Sequence, residues 1–179
     1  TFNLLPSTDA SLSGKSFWAN TNDMKADPNI AGRIYAANSS GLYITTDGGT
    51  TWARANTVPA TTGNCVDIDM SPDGQTIAAV IGIAIVVSTD GGATFNRLSP
   101  ATGSTGEWGG TPARISIAIA PSDNNYIYAM ASRNTDSRLL SIVQSKDKGQ
   151  HCTRIVTGST PYVDVLGSDL QGQGWWNNV

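Results

Sequence analysis

Hydrolysis of a glycosidic bond requires two carboxyl groups flanking that bond, roughly 5 to 9.5 Å apart, and the sequence offers two ways to assemble such a pair. Asp67 and Asp69 are separated by one residue, so on a strand they share one face about 7 Å apart. Their alternation with Val66, Ile68 and Met70 reads instead as the polar side of a half-exposed strand. Glu107 with Asp164 or Asp169 is the better pair, because these residues belong to separate loop segments that can converge. Glu107, Asp164 and Asp169 are therefore the candidate catalytic residues. Trp108, Arg133, Asp136, Arg138 and Tyr162 are the candidate binding residues: an aromatic ring can cover a sugar face, and a guanidinium can grip a carboxylate in a bidentate fashion. Trp175 and Trp176 could add a stacking platform, although aromatic residues at strand starts usually pack inward.

Other chemistries find little support. His151 is the single histidine and has no nucleophile and Asp in a triad arrangement. Asp67 and Asp69 with Asp73-Gly74 lack the further ligand and closing Glu of a calcium loop. Cys65 and Cys152 have no Cys-x-x-Cys or His spacing, so no metal is expected; whether the two thiols meet is left open. No cofactor motif is present, and no cofactor is expected. Asn38-Ser39-Ser40 is a formal glycosylation acceptor in a turn. The formal net charge is -3 and the 11 Lys and Arg are scattered, so nucleic acid is excluded as a partner. The longest apolar stretch, Ile77 to Val87, is broken by Gly82 and is too short for a membrane span. It reads as two buried strands.

What must position the candidate residues is a repeated all-β unit. Only 14% of the 179 residues are charged, Gly numbers 19, and no segment sustains an apolar period of 3.6, which suits short strands and tight turns. Thr45-Thr46-Asp47-Gly48-Gly49-Thr50-Thr51-Trp52 is echoed by Ser88-Thr89-Asp90-Gly91-Gly92-Ala93-Thr94-Phe95, and more faintly by Ser145-Lys146-Asp147-Lys148-Gly149-Gln150-His151-Cys152. In the third copy His151 and Cys152 stand where Thr and an aromatic residue belong, which predicts a weaker cap. Each copy follows a Pro-containing turn and two apolar runs, and the third carries an insertion around Arg133 to Arg138. The spacing approximates the roughly 40 to 50 residues of a four-stranded propeller blade.

The expected organisation is a partial β-propeller over 1–179, with four antiparallel strands in each blade. Blades are expected at 17–60, 64–104 and 112–158. Residues 1–6 read as the last strand of a preceding blade, because Thr1 to Pro6 parallels Thr94 to Pro100, and 173–179 read as the first strand of a following one. The remaining blades of the same propeller are thus expected partners. Within the motif, the carboxylate of Asp47, Asp90 or Asp147 should accept turn N–H groups. Gly49, Gly92 and Gly149 should take positive φ, and Trp52 and Phe95 should cover the turn. These eight residues are read as structural.

The motif resembles the Asp box of the BNR-repeat β-propellers, a group that includes sialidases, xyloglucanase-type glycoside hydrolases, sortilin-like ectodomains and bacterial secreted propellers. The resemblance covers essentially the whole chain. It implies an extracellular or cell-surface module that binds a protein or polysaccharide on the face opposite the boxes, with no catalysis in this segment. The alternative it implies is part of a glycoside hydrolase acting on polysaccharide or glycan. Pro112-Ala113-Arg114-Ile115 is not the Phe-Arg-Ile-Pro motif of sialidases.

Overall fold

The computed structural model describes residues 5–8, 16–100 and 106–158, which fall in two compact units, Thr1–Arg97 and Leu98–Val179. The first contains two sheets. One runs β1 (Thr21–Ala26), β2 (Ile34–Asn38), β3 (Gly41–Thr45) and β4 (Ala53–Arg54) in sequential antiparallel order. The other holds β5 (Thr57–Val58), β6 (Cys65–Met70), β7 (Ile77–Ile81), β8 (Ala84–Ser88) and β9 (Phe95–Arg97) in the order β5-β9-β8-β7-β6. Here β6 to β9 form an antiparallel meander, and β5 lies parallel to β9 along its outer edge.

The apolar run from Ile77 to Val87 folds as the two central strands β7 and β8, buried throughout. Ile81 pairs with Ala84 across a two-residue turn in which Gly82 takes φ 61°. Alternate residues of both sheets, among them Tyr35, Ala37, Leu42, Ile68, Ile77 and Phe95, form one apolar core, as the two-residue period of a strand dictates. The second unit holds β10 (Ser99–Pro100), β11 (Pro112–Ile119), β12 (Ile127–Arg133), β13 (Leu139–Ser145) and β14 (His151–Thr157) in the order β10-β14-β13-β12-β11. Again the meander is antiparallel, and the short β10 runs parallel to the outermost strand. The protein is all-β, built from blade-like sheets of four antiparallel strands. Among the described residues no helix is long and apolar enough to cross a membrane.

The repeated motif closes the hairpin between the third and fourth strands of each sheet. Its first residue is the hub: Thr45, Ser88 and Ser145 are almost wholly buried. Each hydroxyl donates to the motif carboxylate, at 2.7, 2.7 and 2.8 Å, and accepts the N–H of Gly49, Gly92 or Gly149 at 2.8 to 2.9 Å. The carboxylate then accepts the N–H four residues ahead, from Thr51, Thr94 and His151. Gly49, Gly92 and Gly149 have φ of 92°, 85° and 82°. The preceding position is also left-handed in all three copies, occupied by Gly48, Gly91 and, in the third, Lys148 at φ 55°. The third turn is nonetheless fully capped. Its His151 Nδ1 lies 2.8 Å from Asp147 Oδ2, taking the place of the Thr51 hydroxyl that donates to Asp47 Oδ2 at 2.6 Å.

Neighbouring sheets of the first unit meet over these turns. The Tyr35 hydroxyl and Arg33 Nη1 both donate to the Gly91 carbonyl at 2.8 Å, and a Cβ on Gly92 would stand 2.6 Å from Tyr35 Cε1. Trp52 is half-buried and tilts against Trp18, with ring centroids 4.9 Å apart. Phe95 and Cys152 occupy the equivalent position fully buried.

Candidate binding site

The three motif carboxylates are consumed by their own turns. Hydrogen bonds from the Thr51 hydroxyl and N–H, joined by the Thr45 hydroxyl, bring Asp47 down to about 2. Burial pushes Asp90 and Asp147 up, but the donors of each turn outweigh it and hold both below the ordinary carboxylate value. Low-pKa carboxylates saturated with donors are poor general acids. This end of the sheets is structural.

The opposite end differs. In the second unit β12 runs from the Pro-turn end at Ile127 to Arg133, and β13 returns from Leu139 to the motif at Ser145. The β12–β13 loop therefore lies at the end of the blade away from the motif, beside the entry to β11 and the exit of β14. There the structure forms an open pocket of about 430 Å³ lined by Trp108, Gly109, Gly110, Thr111, Arg133, Asn134, Thr135, Leu140, Thr157 and Gly158.

The walls are held by the backbone. Asn134 N–H donates to Thr111 O at 3.2 Å, Arg133 N–H to Arg138 O at 2.7 Å, and Ser137 N–H to Arg133 O at 2.9 Å. Ser137 takes φ 58° to close that loop. The facing segment is fixed by Ser141 Oγ donating to Trp108 O at 3.1 Å and by Arg154 Nη2 donating to Gly106 O at 3.1 Å. Glycine suits both positions: Gly109 takes φ 70°, where a Cβ would also press on the Arg154 guanidinium, and a Cβ on Gly158 would stand only 1.7 Å from Leu139 O. Neither site can accept a side chain without movement of the wall.

The structure brings Trp108 and Arg133 into one pocket and sets Asp136 against Arg133, with Nε 3.0 Å from Asp136 Oδ1. Trp108, a candidate for stacking on a sugar whose more usual role is packing, is only 4% exposed, because burying a large indole removes more apolar area from water than a loop residue gains by exposure. Arg138 is half-buried at the base of the loop, and its N–H donates to Asp136 Oδ1. Glu107 is half-buried beside Trp108. Burial, followed by the negative charges of Glu107 and Asp147, pushes the Cys152 thiol up to about 11. Tyr162, Asp164, Asp169, Trp175 and Trp176 lie outside the described residues, as do the pairings of Glu107 with either aspartate.

Elsewhere, Asp69 lies 3.9 Å from Lys25 Nζ on the neighbouring strand β1, and Asp67 Oδ1 accepts the Ile68 N–H. Asn38 is wholly buried, and its Oδ1 accepts from Ser40 and Gly41 N–H at 2.9 and 3.2 Å, so the folded chain offers no glycosylation acceptor there. Cys65 and Cys152 are both buried and free. Burial drives the Cys65 thiol up to about 12. Among the described residues no group of three or more His, Cys, Asp or Glu side chains could hold a metal ion.

Sequence reasoning did not single out Asn134, Thr135, Thr157 or the prop Arg154 as site residues. The Gly109-Gly110 pair after Trp108 was the available signal, since consecutive glycines mark close backbone approach. Arg154 carried none, being one polar residue in an alternating strand.

No protein-family model matches the chain, and no curated protein sequence matches it. Solved structures do. An ancestral GH74 enzyme superimposes with a TM-score of 0.60 at 20% identity, covering 81% of this chain and 19% of that one. A GH74 enzyme from Niastella koreensis gives 0.57 at 19% identity, covering 84% and 24%. YCF48 bound to D1 peptide gives 0.51 at 20% identity, covering 89% and 46%. The chain thus spans less than half the length of each. These neighbours are β-propeller proteins, and the likeness establishes the fold: the sheets are propeller blades.

Proposed function

We propose that this chain belongs to a secreted or cell-surface propeller of the Asp-box type. It binds a macromolecule, protein or polysaccharide, at the blade ends opposite the repeated turns, without catalysis by the described residues. The observation that carries this reading is the placement of the pocket. It is built from the Trp108 segment and the Arg133 loop at the end away from the motif, where glycines and backbone hydrogen bonds preform it. Preformed concave sites with a few polar groups are where ligands bind. The hydroxyl-centred turns support the Asp-box assignment, and YCF48 bound to D1 peptide is a precedent for a propeller with a peptide partner.

The test is to screen the chain against glycan and peptide arrays, then repeat with the pocket filled by Asn134→Trp. Loss of at least about ten-fold in affinity with an unchanged melting temperature is expected. Undiminished binding by the filled variant would overturn the reading. Hydrolysis of a bound glycan that is abolished by Glu107→Gln would replace it with the glycoside hydrolase alternative.

A further inference from the structure

We infer that the pocket of the second unit recognises a uronate, a sugar ring bearing a carboxylate, with Arg133 as the carboxylate receptor. This rests on the binding reading above and adds the chemistry of the ligand. Arg133 is ion-paired with Asp136, its Nε buried 3.0 Å from Asp136 Oδ1 without hydrogen-bond geometry, while its side chain stays 33% exposed and lines the pocket. Because Nε is buried, a ligand in the pocket would meet the Nη1–Nη2 edge, a planar pair of donors that matches the two oxygens of a carboxylate. Arg133 is the one charged side chain among the described residues that line the pocket, which favours an anion, although the whole chain carries a net charge of -3.

The rest of the lining selects the body of the ligand. Asn134, Thr111, Thr135 and Thr157 line the same space. Short side chains that both donate and accept suit a ring of vicinal hydroxyls better than a peptide side chain, which has no such ring of partners. Leu140 supplies an apolar patch for the C–H face of the sugar. At about 430 Å³ the pocket is at the small end for ligand sites, which fits one or two sugar rings and not a folded segment. Asp136 is a positioning residue. Its removal should free the guanidinium to rotate without removing the charge that attracts the ligand.

The experiment is calorimetric titration of the chain with galacturonate, glucuronate and mannuronate trisaccharides, with the neutral galactose trisaccharide and pentaglutamate as comparators. One uronate trisaccharide should bind at least about ten-fold more tightly than the neutral sugar, as expected of a charge-assisted hydrogen-bonded pair, and the affinity should fall with added salt. Arg133→Gln should abolish that preference. Arg133→Lys should not restore it, because an ammonium lacks the fork. Asp136→Asn should weaken binding several-fold with its salt dependence retained. A structural role alone would lower the melting temperature without changing the ratio of acidic to neutral sugar, so both are measured. If no uronate binds, or if pentaglutamate binds as tightly, the uronate assignment fails. If another ligand is then blocked by Asn134→Trp but indifferent to Arg133→Gln, the binding reading survives alone. If a uronate binds equally well to Asn134→Trp, both fall.

Discussion

The two ends of the third blade are built on opposite principles. At the motif end the hub groups satisfy one another: Ser145 satisfies Asp147 and Gly149, and Asp147 in turn accepts from His151 twice. At the other end the backbone is tied down, but Asn134, Thr135 and Asp136 are exposed, and the buried Nε of Arg133 has no hydrogen-bond partner. The first arrangement recurs in all three sheets with the same geometry. The second is peculiar to the Arg133–Arg138 insertion. A self-satisfied polar network specifies a fold and offers nothing to a ligand, whereas a preorganised but unsaturated one is what recognition needs.

Acid should break the comparison most broadly, because it acts on all three turns at once. Asp47, Asp90 and Asp147 are all held below the ordinary carboxylate value. The stability they contribute is present above the unfolded value of 3.8 and is lost as pH falls through the folded values, for Asp47 down to about 2. The melting temperature should therefore fall steadily between those limits. A flat profile would show that the turns do not depend on ionised carboxylates.

Single substitutions sharpen the contrast. Ser145→Ala leaves the buried Gly149 N–H and one carboxylate oxygen without their partner and should cost about 2 kcal/mol in denaturant unfolding. Asn134→Ala at the opposite end should stay within about 0.5 kcal/mol. Equal costs would mean that the two ends are not energetically distinct. One further effect is a gain. Lys148 is left-handed where the other copies have glycine, so Lys148→Gly should stabilise by about 1 kcal/mol, read as a higher midpoint.

Legibility followed the same division. The strand pattern and the roles of Asp47, Asp90 and their glycines could be read because repetition shows which residue types recur at which offsets. Turn chemistry is local, involving atoms within a few residues of one another. His151 was misjudged as a weaker cap because a template records residue type, while the turn requires only a donor at the right distance from Asp147 Oδ2. The pocket was half legible. Trp108, Arg133 and Asp136 stood out as chemical types, but the part played by Gly158 and Arg154 depends on contacts between strands distant in sequence, such as Arg154 with Gly106. The indole of Trp108 faced inward because burial depends on what lies above it, and no local pattern encodes that.

The short parallel strands β5 and β10 bear on how the chain is made. Thr57 pairs with Phe95, and Ser99 with His151, so each of these two sheets takes its outermost strand from residues synthesised before the rest of that sheet. During N-to-C emergence from a ribosome, Thr57–Val58 must wait, unpaired, until Phe95–Arg97 appears. The antiparallel meander between them involves only near neighbours in sequence and can form quickly. The clasp forms last, so it acts as a checkpoint: a blade acquires its fifth strand only after its own fourth strand is in register.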